Sequence, residues 1–141
     1  DVLLETSAKQ GYAPDSSVAG DEVLNGARPG PHMVYKNMDN LGVSPVEAVV
    51  KVDDTIGGVG EGLNAGCWAV GLSRYSNYMN INTYAEEDEL GREEMYRRLL
   101  TSRTTLLEAG PHYVIDTLEQ LPVVIQNINA RKNLFKTALF E

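Results

Sequence analysis

Apolar and polar positions run in blocks along this 141-residue chain, and the spacing inside each block predicts its element. Asp1 to Gln10 reads as a helix already under way, with no cap before it. Gly11-Tyr12-Ala13-Pro14 stops it, since glycine ends helices and proline disfavours helical geometry in the residue before it. A short extended piece around Ser17-Val18-Ala19 and a turn-rich stretch from Gly20 to Pro31 follow. His32 to Leu41 spaces Met33, Lys36 and Asn40 as on a helix, and Pro31 suits its first turn. Glu47 to Val52 is short, β-branched and almost continuously apolar, which predicts a strand covered on both faces. Gly58 to Asn64 predicts a short helix that Gly66 ends, and Cys67 to Leu72 a second buried strand. Strand, helix and strand in so short a span imply a parallel crossover unit. Ser73 to Thr83 is loop-like, with Tyr75, Tyr78 and Tyr84 as a rim. Glu86 to Ala109 is the longest predicted helix. Met95, Leu99, Ser102 and Leu106 share one of its faces, and Glu93 with Arg97 and Glu94 with Arg98 have the order that favours ion pairs. His112 to Ile115 predicts a third strand, and Leu121 to Leu134 an amphipathic helix entered through Pro122.

Composition narrows the classes. With 43% hydrophobic and 23% charged residues, the chain is expected to form one globular α/β unit over residues 1–141. A net charge of -8, from 20 acidic and 12 basic side chains, argues against nucleic acid and anionic membrane as partners. A small anionic substrate stays compatible, because a metal and one or two local cations reverse the field inside a cleft. Cys67 is the single cysteine, which rules out an intrachain disulfide and fits a reducing, cytoplasmic location. No apolar run approaches the roughly 20 residues that span a bilayer. The first residues lack the basic and apolar regions of a signal peptide. The expectation is a soluble chain without a membrane partner.

The chemistry concentrates in Lys51-Val52-Asp53-Asp54-Thr55, followed by a glycine-rich run to Gly66. Two adjacent carboxylates at the end of a buried strand stand where ligands gather in open α/β sheets. A hard cation such as Mg²⁺ takes one or two carboxylates plus water and phosphate oxygens, so the pair is a candidate metal site. Capping of the following helix is the competing role for both acids. Gly60-Glu61-Gly62-Leu63-Asn64-Ala65 fits a dinucleotide pattern, but its first glycine does not follow a strand directly and no ribose-binding acid ends the next one. Close helix–sheet packing accounts for these glycines better. Arg28 stands between Ala27 and Pro29-Gly30-Pro31; a lone loop arginine is most often surface charge, but a turn that restricts the chain makes this one a candidate oxyanion-binding guanidinium. Lys51 is expected to reach solvent, Asp116 to cap a helix, and His32 and His112 to serve packing or surface.

Five segments together carry a resemblance: Gly11 to Asp15, Ala27 to Met33, Lys51 to Thr55, Glu61 to Trp68 and Ala109 to Asp116. In their order and residues they resemble the phosphonoacetaldehyde hydrolase, or phosphonatase, family of the haloacid dehalogenase superfamily, over most of the chain. The resemblance implies a Rossmann-like core, a parallel sheet flanked by helices, and Mg²⁺-dependent cleavage of the carbon–phosphorus bond of phosphonoacetaldehyde. That reaction yields acetaldehyde and phosphate, in the use of 2-aminoethylphosphonate. In the family, a cap-domain lysine forms a Schiff base with the aldehyde, an N-terminal aspartate takes the phosphoryl group, and Mg²⁺ neutralises charge between the anions. By position, Asp54 matches the metal-binding acid and Arg28 the cation that steadies phosphoryl charge. Asp53 and Thr55 stand beside them as supporting or further metal-site residues. The resemblance also admits a homodimer of the full-length protein.

The departures are absences. No nucleophilic Asp motif and no Schiff-base Lys of a helical cap stand in this sequence. It reads as the C-terminal half of a haloacid-dehalogenase-type core without its cap domain, expected to be inactive without the other half. Two other readings stay open. One is a related phosphatase or phosphoglucomutase, which would label no cap lysine on borohydride trapping; the other is a non-catalytic scaffold or binding remnant.

Overall fold

A computed structural model describes residues 2–138. Three parallel strands in the order β1-β2-β3 form its centre: β1 Val50–Asp53, β2 Trp68–Leu72 and β3 Tyr113–Ile115. Six helices accompany them: α1 Val2–Lys9, α2 His32–Leu41, α3 Ile56–Ala65, α4 Tyr84–Glu89, α5 Arg92–Glu108 and α6 Leu121–Ala138. Helix α3 carries the chain from β1 to β2, and α4 and α5 carry it from β2 to β3. Both connections return to a parallel neighbour, so every strand ends at the same edge of the sheet, with Asp53 beside Gly71 and Leu72 beside Ile115.

Alternation along the strands sorts the core into two faces. On one face Val70 and Ile115 pack with Val124 and Ile128 of α6, and Val50, Val52 and Leu72 flank them. On the other, Ala69 packs with Val59 of α3 and Leu106 of α5. Gly71 points to this second face, where an added Cβ would lie 3.3 Å from Leu106. A third cluster, Val34, Ala65 and Cys67, joins α2 to the C-terminal end of α3. Burial pushes the Cys67 thiol pKa up, and its Sγ lies 3.3 Å from the Gly62 carbonyl.

Several predicted boundaries move, each for a local reason. The expected strand from Glu47 begins only at Val50, because Val46–Ala48 closes a 3₁₀ turn whose amides bond back to Pro45 and Val46. Its two faces are covered as expected, Val50 and Val52 on the α6 side and Lys51 and Asp53 against α3, but it is only half-buried because no strand among the described residues pairs with its outer edge. The expected helix from Glu86 to Ala109 is two helices: α4 ends at Glu89 with Leu90 as its cap, and Gly91 caps α5, whose first turn holds Glu93 and Glu94. The acid that pairs there is Glu94, with both Arg97 and Arg98, instead of Glu93 with Arg97. Helix α3 begins earlier than expected, at Ile56, because Thr55 caps it by accepting from the Gly58 amide. Gly66, at φ 83°, ends it as expected. The reading of Asp1 falls outside the described residues. No helix among them is long and apolar enough to cross a membrane.

Candidate active site

The carboxyl end of β1 gathers four charged side chains from three segments. Lys51 and Asp53, two apart on the strand, both point toward α3, where glycines take their space. A Cβ on Gly62 would lie 3.0 Å from the Lys51 stem, and one on Gly58 would fall 1.9 Å from the Asp53 carboxyl carbon. The glycine run therefore serves close helix–strand packing, with Gly60 and Gly62 inside α3 and not in a loop around phosphate.

Into this seam Glu61 projects from α3 and Arg28 from the turn before α2. Lys51 Nζ lies 2.9 Å from Asp53 Oδ2 and 3.3 Å from Glu61 Oε2. Arg28 approaches the same two oxygens, at 3.7 and 3.4 Å. The result is a near-neutral square of two cations and two anions. Glu61 is 1% exposed, and its Oε1 is buried without a hydrogen-bond partner. Arg28, by contrast, keeps 47% of its side chain exposed. Lys51 is not the solvent-reaching strand residue expected from sequence: its side chain is 19% exposed and paired on both sides.

The adjacent acids have different surroundings. Asp53 accepts from Lys51 through one oxygen and from the Thr55 amide and hydroxyl, at 3.0 and 2.7 Å, through the other. Burial pushes its carboxyl pKa up, but the hydrogen bonds from Lys51 and Thr55 and the charges of Lys51 and Arg28 outweigh burial and hold it below the usual value. Asp54 is bound through its backbone, where its carbonyl accepts from Ser76 Oγ at 2.7 Å. Among the described residues nothing donates to its carboxylate, which is thus the oxygen pair open to a cation. No group of three or more His, Cys, Asp or Glu able to hold a metal gathers among the described residues.

Beyond β1 the same edge is tied by a second network. Asp116 does not cap the following turn, a place that Thr117 takes. Its carboxylate accepts from both nitrogens of an Arg103 fork and from Ser73 Oγ at 2.7 Å. Hydrogen bonding from Arg103, opposed by burial and aided by Ser73, holds the Asp116 carboxyl below its ordinary value. His112 is a packing residue as expected: its ring lies against Trp68, and its Nδ1 accepts the Ala69 amide at 3.0 Å. The expected site residues do not include Glu61 or Ser76, and the sequence places Tyr78 only as rim. For Glu61 the signal was a lone acid in the middle of an otherwise apolar, glycine-rich helix.

Along the outer edge of β1 lies a cavity of about 500 Å³, apolar where Met38, Leu41 and Val49 line it and charged where Arg28, Lys51 and Glu61 close its end. Comparison with known proteins gives this arrangement a context. The chain is 45% identical to a phosphonoacetaldehyde hydrolase of Klebsiella pneumoniae over 129 residues, 92% of this chain and 48% of that protein. It is 43% identical to one of Vibrio vulnificus over 133 residues, 93% and 48% of the two. The chain matches the C-terminal part of phosphonoacetaldehyde hydrolases. It spans about half the length of these relatives. A solved structure of a phosphonoacetaldehyde hydrolase-like protein from Oleispira antarctica superposes with a TM-score of 0.85 and 37% identity, over 91% of this chain and 46% of that one. No family model matches the chain. The relatives are hydrolases by name, and the α/β sheet flanked by helices is the architecture that the structural neighbour shares.

Proposed function

We propose that this chain supplies the cation-holding half of a phosphonoacetaldehyde hydrolase active site, in a protein that cleaves the carbon–phosphorus bond of phosphonoacetaldehyde to acetaldehyde and phosphate. The observation that carries the proposal is the asymmetry at the end of β1. One acid, Asp53, is tied to Lys51, Thr55 and Arg28, while its neighbour Asp54 presents an unpartnered carboxylate beside them. The similarity to the named hydrolases gives the substrate class.

In this reading Asp54 holds Mg²⁺, and its single free carboxylate suits an ion that binds few protein oxygens and leaves its other positions to water and substrate. Bound there, the ion supplies positive charge between a carboxylate nucleophile and the phosphoryl group. Arg28, anchored at Nε by Glu61 and at one terminal nitrogen by Asp53, turns its exposed side toward the transferring oxyanion. Lys51 keeps Asp53 ionised and adds a second positive charge behind it. The nucleophilic aspartate and the Schiff-base lysine come from the other half of the relatives' length. A strand carrying the nucleophile would have an available place at the outer edge of β1, where the apolar cavity runs into Arg28 and Lys51.

The test is Asp54→Asn in a protein of the relatives' full length. Magnesium affinity and turnover with phosphonoacetaldehyde should both fall; an unchanged magnesium dependence would remove Asp54 from the role. Borohydride trapping tests the substrate separately, since a phosphatase acting on esters would leave every cap lysine unlabelled.

A further inference from the structure

The loop after β2 holds the acidic loop after β1 through two side chains outside the charged square. Ser76 Oγ donates to the Asp54 carbonyl at 2.7 Å, and the Tyr78 hydroxyl accepts the Ile56 amide at 3.2 Å. The two bonds flank Thr55, fixing the two peptides that follow the Asp54 Cα. Ser76 is buried and also accepts the Tyr78 amide at 3.2 Å, so it opens the 3₁₀ turn Asn77–Met79.

That turn is itself fastened to α5. Ser102 Oγ donates to the Ser73 carbonyl at 2.8 Å, and the Arg98 guanidinium donates to the carbonyls of Met79 and Asn80. Met79 beneath it is 1% exposed, and the Tyr78 ring packs on the cluster of Val59, Ala69 and Leu106. Residues 73–80 thus form a strut from α5 to the peptide that carries Asp54. The amide bonded by Tyr78 is one of the unpaired donors at the start of α3, a place that water fills when no side chain does. With its oxygen accepting there, the phenol keeps its own hydrogen for another acceptor.

We propose that Ser76 and Tyr78 are positioning residues for Asp54: acting through its peptide and the first turn of α3, they set the direction in which its carboxylate takes a divalent cation. The inference rests on Asp54 as the cation ligand. A carboxylate without a side-chain or backbone donor has its direction fixed only by its own backbone, which here is held before Asp54 by the end of β1 and after it by the bonds of Ser76 and Tyr78.

The experiment uses a protein of the relatives' full length with Mg²⁺ alone, following the Thr55 and Ile56 amide signals during titration and the hydrogen exchange of Ile56. The variants are Ser76→Ala, Ser76→Thr and Tyr78→Phe, the last keeping the ring in its cluster while removing the acceptor. Tyr78→Phe should speed Ile56 exchange about tenfold, the factor of one ordinary hydrogen bond. Ser76→Ala should weaken Mg²⁺ binding roughly tenfold, as losses of supporting contacts do at metal sites, and Ser76→Thr should restore it. Equal Mg²⁺ affinity in all four proteins overturns the positioning role and leaves Asp54 as ligand. Absence of a Mg²⁺-dependent shift in the unsubstituted full-length protein, or a shift that Asp54→Asn leaves unchanged, overturns Asp54 and the positioning role together.

Discussion

Gly58 and Asp53 occupy one space, since a Cβ on the glycine would fall within 1.9–2.1 Å of all three carboxyl atoms. Alanine normally stabilises a helix interior relative to glycine by up to about 1 kcal/mol. Here Gly58→Ala should instead destabilise by about 1–3 kcal/mol, as overpacking of a tight contact does. The same change in an Asp53→Ala background should cost much less. Urea unfolding of the four proteins measures that coupling, and additive losses would separate the two residues. Sequence located the acidic pair and the strand end beneath it, but not which acid is tied down. That distinction depends on the turn of β1 that aims Lys51 and Asp53 together at α3, and on Glu61 and Arg28 arriving from elsewhere. Glu61 was illegible for the same reason, as its partners lie ten and more residues away. Removing its charge by Glu61→Gln leaves Arg28 with only the longer 3.7 Å contact to Asp53. The Arg28 guanidinium should then lose order, read as a sharpened, solvent-averaged Nε signal in nitrogen NMR, while the fold persists.

At the scale of elements, the strands are held at their ends by side chains that stand in for backbone. Ala69 is fully buried, and its amide finds an acceptor in His112 Nδ1 one residue before β3 begins. His112→Ala leaves that donor without a partner and should cost about 1–3 kcal/mol in urea unfolding, whereas His112→Asn, which keeps an acceptor, should recover part of it. At the other end, Arg103 and Ser73 join α5, β2 and β3 through Asp116. The Arg103 fork holds the Asp116 carboxyl below its ordinary value, so its ionisation stabilises the fold at pH above the ordinary carboxylate range. The contribution is lost as pH falls through the lower folded value. Asp116→Asn should therefore flatten the fall of melting temperature below about pH 4, with little change in slope at neutral pH. Patterning placed β2, β3 and α2 within one residue of their observed bounds, the strands by short continuous apolar runs and α2 by one repeating face. It merged α4 with α5, since the helical spacing runs through Leu90 and Gly91 and only the cap at Gly91 marks the break. It also gave Asp116 a capping role that the distant Arg103 overrides.

At the scale of the whole molecule, β2 and β1 are unequal although both are short and parallel. Strand β2 has a neighbour on each side and residues fully buried at Ala69 and Val70. Strand β1 has a neighbour on one side only, and its outer edge faces the cavity lined by Met38, Leu41 and Val49. The Trp68 amide donates to the Val49 carbonyl, so alternation along a parallel ladder turns the amides of Val50 and Val52 to the open edge. An apolar sequence on an edge strand is otherwise a pairing hazard. The continuous apolarity that predicted a strand covered on both faces fits a partner strand that the described residues do not contain. Relatives twice as long have the residues to supply one. Hydrogen exchange reads this directly. In the chain alone, Val50 and Val52 should exchange at rates near those of exposed loops, while Val70 stays protected to the limit set by global unfolding. In a protein of the relatives' full length, Val50 and Val52 should gain protection comparable to Val70, because they become the interior of a wider sheet. Protection of Val50 and Val52 that is already equal to Val70 in the chain alone would mean that the edge closes on itself, and would remove β1 as the place where the other half joins.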